Sequence, residues 1–226
     1  MTEGWGAASR CRLSHAWTGW AWCWQRWWWY TTAAEIVGFA LPALTGLAAW
    51  RLGWAPIPFY IAMVVAGAGE GALLGGGQRL ALRPVLPVGR RWVTRTSLAA
   101  AGAWSIGMLP STLIDLSVPV WLTVLATVPL APLLLLSIGI AQWSVLRDLL
   151  PDAGLWIPAN AVAWLLALPP TFVAPALVPP GAPLAVHVGA WLAAGAIMAA
   201  VVAAVTGLAL ILLLSRRDAA VSRTPL

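Results

Sequence analysis

PVWLTVLATVPLAPLLLLSIGIAQWSV, from Pro119 to Val145, runs for 27 residues without a charged side chain. A helix rises about 1.5 Å per residue, so about 20 residues cross the roughly 30 Å hydrocarbon layer of a bilayer. This stretch is long enough, and only a helix or a closed barrel satisfies its backbone polar groups in lipid. Outward from it, breaks at Arg, Pro and Asp separate further apolar runs near 31–50, 57–79, 93–113, 157–177 and 184–214. The reading is an all-α membrane protein of about six transmembrane helices. Pro42, Pro58, Pro129, Pro132, Pro158 and Pro169 fall inside or at the edges of these runs, where neighbouring helices can satisfy the carbonyls that proline frees.

The composition agrees. Of the 226 residues 61% are hydrophobic and 9% charged, with a mean hydropathy of +0.85, against about 25% charged in an average soluble domain. All 13 basic residues are Arg. Without a Lys amine there is no retinal or pyridoxal Schiff base and no phosphate-binding loop of the Gly-Lys kind; any other cofactor stays unspecified. The pI near 11.0 reflects Arg at helix ends rather than nucleic-acid binding. His15 and His187 are too few and too far apart for a metal cluster, and Cys11 and Cys23 read as free thiols. The first apolar run lacks the basic start and small-residue exit of a cleavable leader.

Arg placement sets the expected orientation. With both termini in the cytoplasm, Arg10, Arg12, Arg26, Arg79, Arg83, Arg90, Arg91, Arg95, Arg147, Arg216, Arg217 and Arg223 fall on the inner side and only Arg51 outside, as the positive-inside bias requires. The expected location is the cell membrane.

Sliding the chain against itself by 64 residues lays GGGQRLALRPVLP (Gly75 to Pro87) over GIAQWSVLRDLLP (Gly139 to Pro151). Gly75 and Gly139, Gln78 and Gln142, Leu82 and Leu146, Arg83 and Arg147, Leu86 and Leu150, and Pro87 and Pro151 coincide. Trp28, Trp92 and Trp156 keep the same spacing, each followed four residues later by Thr32, Thr96 or Asn160. The unit is a helical hairpin, and parallel copies of it should be related by an axis along the membrane normal. The expected organisation is a Trp-rich interfacial segment at 1–30, hairpins at 31–91, 92–155 and 156–214, and a cytoplasmic tail at 215–226. The third hairpin is degenerate, with Thr206 and Ile211 at the Gln and Arg positions. The motif Gly-x-x-Gln-Trp-x-Val-Leu-Arg at Gly139 to Arg147 resembles a hairpin unit of uncharacterised bacterial multi-pass membrane proteins; that resemblance implies no activity, and Arg79 replaces the motif's Trp in the first copy.

Several residues are candidates for a role. Gly67, Gly71 and Gly75, with Gly139 in the second copy, make nearly side-chain-free stripes for packing a neighbouring helix or docking a separate subunit. Glu70 sits near the middle of the second span, where an ionised carboxylate costs a few kcal/mol and must be paired, protonated or hydrated; Arg95 is its candidate partner. Gln78 and Gln142 are equivalent amides that can bond one another or, with Thr206, ring a polar vestibule. Glu35 and Asp115 read as helix-end acids without a role. Trp17, Trp20, Trp24, Trp27 and Trp28 recur at helical steps and suit an in-plane interfacial anchor or a face for a flat ligand such as a quinone, carotenoid or porphyrin.

Two functions follow. The first is an accessory or scaffold subunit that binds partner helices, lipid or an apolar ligand without catalysis, because no acid, base, nucleophile or metal ligands converge. The alternative is a small transporter or solute-binding subunit with its site at Glu70, Gln78, Arg95, Gln142 and Thr206. The bilayer, and other membrane subunits, are the expected partners.

Overall fold

The computed structural model describes residues 16–179 and 181–222. The expectations for Arg10, Cys11, Arg12, His15 and Arg223, and for the side chain of Trp17, lie outside the described residues. Among the described residues six helical spans are long and apolar enough to cross a membrane, Gly19–Leu52, Pro56–Leu82, Gly89–Asp115, Val120–Leu146, Ala153–Ala174 and Leu184–Ser222.

The first three spans are single helices, α1 (Ala16–Leu52), α2 (Pro56–Leu82) and α3 (Gly89–Asp115). The fourth divides into α4 (Val120–Thr127) and α5 (Ala131–Leu146) around a 3-10 turn at Val128–Leu130, where Pro129 removes a backbone donor. The fifth divides into α6 (Trp156–Ala167) and α7 (Pro169–Ala176), and the last is α8 (Leu184–Ser222). Local chemistry sets the ends. Gly53 takes a left-handed φ of 62° and the Trp54 N–H reaches back to the Ala49 carbonyl at 3.0 Å, a glycine stop closed by a six-residue hydrogen bond. Pro56 then opens α2 from an extended Ala55, where its missing N–H costs nothing.

In space α1 packs on α2, α2 on α3, α3 on α5, α5 on α6, α6 on α8, and α8 returns to α1. The result is a closed ring of six spans. The Arg-bearing helix ends meet at one end of it: Arg26 donates to the Leu80 and Ala81 carbonyls at 2.8 and 3.2 Å, Arg216 pairs with Asp152 at 2.9 Å, and Arg217 donates to the Val85 carbonyl. Arg26 thereby covers carbonyls left open at the C-terminus of α2, the end a cation favours.

Apolar lipid supplies little drive for helices to associate, so close approach of backbones matters more. A Cβ on Gly71 would fall 2.4 Å from Ala100 Cβ and 2.9 Å from the Thr96 carbonyl, and one on Gly75 would meet Val93 and Thr96 at 3.0–3.1 Å. The Gly67, Gly71 and Gly75 stripe is thus filled by α3. Gly139 makes the corresponding contact with Asn160 and Ile157 of α6. On another face of α2, a Cβ on Gly77 would fall 2.4 Å from Ala34 Cβ and 2.7 Å from the Tyr30 carbonyl of α1.

Two expectations are corrected here. The Trp-rich stretch is not a separate in-plane helix from Trp20 onward, because it continues unbroken into the first span; no Gly or Pro interrupts residues 20–37. Three of its indoles, Trp24, Trp27 and Trp28, turn toward α8, with Trp24 donating to the Ala204 carbonyl at 3.4 Å and Trp28 to the Ala200 carbonyl at 3.1 Å, while Trp29 is exposed. Cys23 is buried and disulfide-bonded, not a free thiol.

Candidate functional site

Two buried polar layers occupy the interior of the ring. The layer nearer the Arg-bearing end is built from Trp27 of α1, Trp92 and Trp156 at the starts of α3 and α6, Gln78 and Gln142 near the ends of α2 and α5, and Thr206 of α8. Trp92 donates to Gln78 Oε1 at 3.2 Å and Trp156 donates to Gln142 Oε1 at 3.0 Å. Trp27 donates to Thr206 Oγ1 at 3.0 Å. The three indoles are fully buried and meet in the middle, Trp27 edge-on to Trp156 at 5.7 Å and Trp92 tilted against Trp156 at 6.2 Å. The indole that matches Trp92 and Trp156 in its bonding is therefore Trp27, one residue before the Trp28 that the 64-residue spacing selects.

Gln142 ties the layer together. Its Nε2 donates to Gln78 Oε1 at 2.7 Å and to Thr96 Oγ1 at 3.1 Å, while its Oε1 accepts from Trp156 and, at 3.5 Å, from Asn160 Nδ2. Both donors and both lone pairs of one amide are used. Thr206 is shorter: apart from Trp27 it bonds only the Val202 carbonyl of its own helix, at 2.6 Å. The two amides join each other, and the third position stands apart from them.

The second layer lies deeper and carries charge-bearing groups. Glu35 is fully buried and Glu70 is 5% exposed, and their carboxyl groups are close enough to interact. Neither Glu35 oxygen meets an N–H or O–H donor among the described residues, so two acceptors face each other. Trp104 donates to Glu70 Oε2 at 2.5 Å. Glycines make this approach possible: a Cβ on Gly38 would sit 3.2 Å from Glu70 Cγ, and one on Gly67 would sit 2.0 Å from the Trp104 ring. Thr31 and Thr32, one turn before Glu35 on α1, are buried with unpartnered hydroxyls, and Asn160 Oδ1 is unpartnered as well.

The structure sorts the anticipated site residues. Gln78, Gln142 and Thr206 belong to the indole layer, and Glu70 belongs to the deeper one. Arg95 belongs to neither. It donates to Ser144 of α5, and its expected pairing with Glu70 is corrected: Arg95 lies nine residues, about 13 Å along α3, from the Trp104 that reaches Glu70. Glu35 is the residue that sequence reasoning set aside. Its span starts at Gly19, which places Glu35 at the midpoint of the span, level with Glu70 in the middle of α2.

No protein-family model, curated protein or solved structure matches this chain.

Proposed function

We propose that the chain is a small transporter or solute-binding membrane subunit that works by taking up and releasing a proton at the Glu35–Glu70 pair. The observation that carries this reading is the pair itself: two buried carboxyl groups close to one another at mid-span, with no cationic side chain beside them among the described residues. Like charges so close cannot both persist in a low dielectric, so a proton or a cation must sit between them. An intramembrane acid of this kind marks an ion or proton pathway more often than a structural tie. The Trp104 N–H holds Glu70 in place and leaves Glu35 as the group that gains or loses its proton.

Several further readings join this one as proposals. The ring is three parallel hairpins, with Trp27–Thr206 as the worn third copy of Trp92–Gln78 and Trp156–Gln142; the likeness to bacterial multi-pass hairpin proteins fits it. The Arg-bearing end faces the cytoplasm of a cell membrane, in keeping with the positive-inside bias. The accessory-subunit reading stands second, since the glycine stripe it would use is filled by α3.

The test is infrared spectroscopy of the reconstituted protein. A protonated carboxylic C=O band buried from solvent is expected in the native chain and lost in Glu35→Gln/Glu70→Gln. Proteoliposomes loaded with a pH dye should then carry protons down an imposed gradient in a manner abolished by Glu70→Gln. Absence of the band in the native protein, or unchanged proton movement in Glu70→Gln, refutes the proposal.

A further inference from the structure

The carboxyl pair is enclosed on both sides, and the two enclosures differ in kind. On the side away from the Arg-bearing end, Phe39 and Ala167 pack with Trp104 and Leu168 as an apolar plug; Phe39 is one turn beyond Glu35 on α1, while Met198 and Trp164, whose Nε1 is buried without a partner among the described residues, stand level with the pair. On the other side the lining is polar. Trp27 and Trp156 are in ring contact, so Thr31 and Asn160, each one turn deeper, stand at the same depth. Both are at most 1% exposed, and Thr31 Oγ1 and Asn160 Oδ1 have no partner among the described residues. Thr32 Oγ1 adds a third such atom. Buried polar atoms are satisfied by protein or by ordered water, so this group calls for water between Glu35 and the indole layer.

The indole layer is itself uneven. Gln78 and Gln142 bond each other across the α2, α3 and α5 side and close it. Between α1 and α8 the layer has a single side-chain to side-chain bond, Trp27–Thr206, beside the Trp24 and Trp28 bonds to α8 carbonyls, and a threonine cannot reach the two amides. Glu35 and Thr31 stand on α1, on that same side. The charged side chains of α1, α2, α3 and α8, namely Arg26, Arg51, Arg79, Arg90, Arg91, Arg95, Asp115, His187, Arg216, Arg217 and Asp218, stand at the helix ends or well along their helices from the pair, so none competes for its proton.

We infer that the pair exchanges its proton with the Arg-bearing side alone, through water held by Thr31, Thr32 and Asn160 and past a gate formed by Trp27 and Thr206. This rests on the reading that the pair holds a proton. Only a proton moves, from the Glu35 carboxyl along hydrogen-bonded oxygens, and no other bond breaks.

The test follows the carboxylic C=O band in reconstituted protein after a step into heavy water. Thr206→Gln supplies the missing amide and is expected to slow exchange about tenfold, the order of one added buried hydrogen bond, while leaving the band intact. Trp27→Phe removes the indole N–H and should speed exchange by a similar factor, and it serves if Thr206→Gln does not fold. Phe39→Ala, in the apolar plug, should leave the rate within about twofold. Faster exchange in Phe39→Ala together with native rates in both gate variants overturns the inferred route. A native protein without the band instead removes the proton-holding reading, so the two failures are told apart.

Discussion

Replacing Gln142 with Leu should cost this fold more than any other single change of similar volume in its interior. Gln142 makes three hydrogen bonds of 2.7 to 3.1 Å and a fourth at 3.5 Å, spread over α2, α3 and α6. Interhelical hydrogen bonds in membranes average about 0.6 kcal/mol, with a maximum near 1.7 kcal/mol. The three short ones therefore account for about 2 kcal/mol. The change also strands the Trp156 N–H in a site that is 1% exposed, and an unpaired buried donor costs about 1–3 kcal/mol. Counting the Trp156 bond once, the expected loss is about 3 kcal/mol. The measurement is equilibrium unfolding by sodium dodecyl sulfate in mixed micelles, read by Trp fluorescence, with lipid-facing Leu125→Ala as a control expected within about 0.5 kcal/mol of native. Adding Gln78→Leu should cost less than the sum of the single changes, because the two amides share a bond. A loss below about 1 kcal/mol for Gln142→Leu, or full additivity with Gln78→Leu, would refute the claim that one amide network ties α2, α3, α5 and α6 together.

Two other outcomes follow from packing and charge. Gly71→Val places a branched side chain where even a Cβ lies 2.4 Å from Ala100 Cβ. It should lower stability by about 1–3 kcal/mol in the same unfolding assay, whereas Gly76→Val, with open space around it, should cost under about 1 kcal/mol. For orientation, single cysteines introduced at Arg83 and Arg91, in a background with Cys11 and Cys23 replaced by Ser, should react with an impermeant thiol reagent only in inside-out vesicles; one at Arg51 should react only in intact cells. The reverse pattern would overturn the proposed orientation.

The spans were legible because a charge-free run such as Pro119 to Val145 has few ways to exist in water and one common way to exist in lipid. The amides were legible as well, since Gln78 and Gln142 recur at matched positions where polar groups are costly. Glu35 was not. Trp is at home both at a membrane interface and in a helix core, so the indoles from Trp20 to Trp29 were read as interfacial. An interfacial reading of them starts the first span too late and puts Glu35 near its end instead of its middle. Arg95 erred the other way: opposite charge on an adjacent helix suggested a pair, but depth along the helix, which charge pattern does not encode, sent its guanidinium to Ser144. Likewise the one-residue offset between Trp27 and Trp28 lies below what a repeat period resolves, because neighbouring indoles look alike in sequence and face about 100° apart on a helix.

The unbroken course of α1 has a mechanical meaning. Trp27 and Glu35 are eight residues apart on one continuous helix, about 12 Å along its axis and about 80° apart around it, with neither glycine nor proline between them. That segment turns as a stiff shaft. Were the Trp27 indole to lift off α8, the Glu35 carboxyl would turn with it relative to Glu70. Pro42, seven residues farther on, interrupts the hydrogen-bond ladder and marks where that stiffness ends.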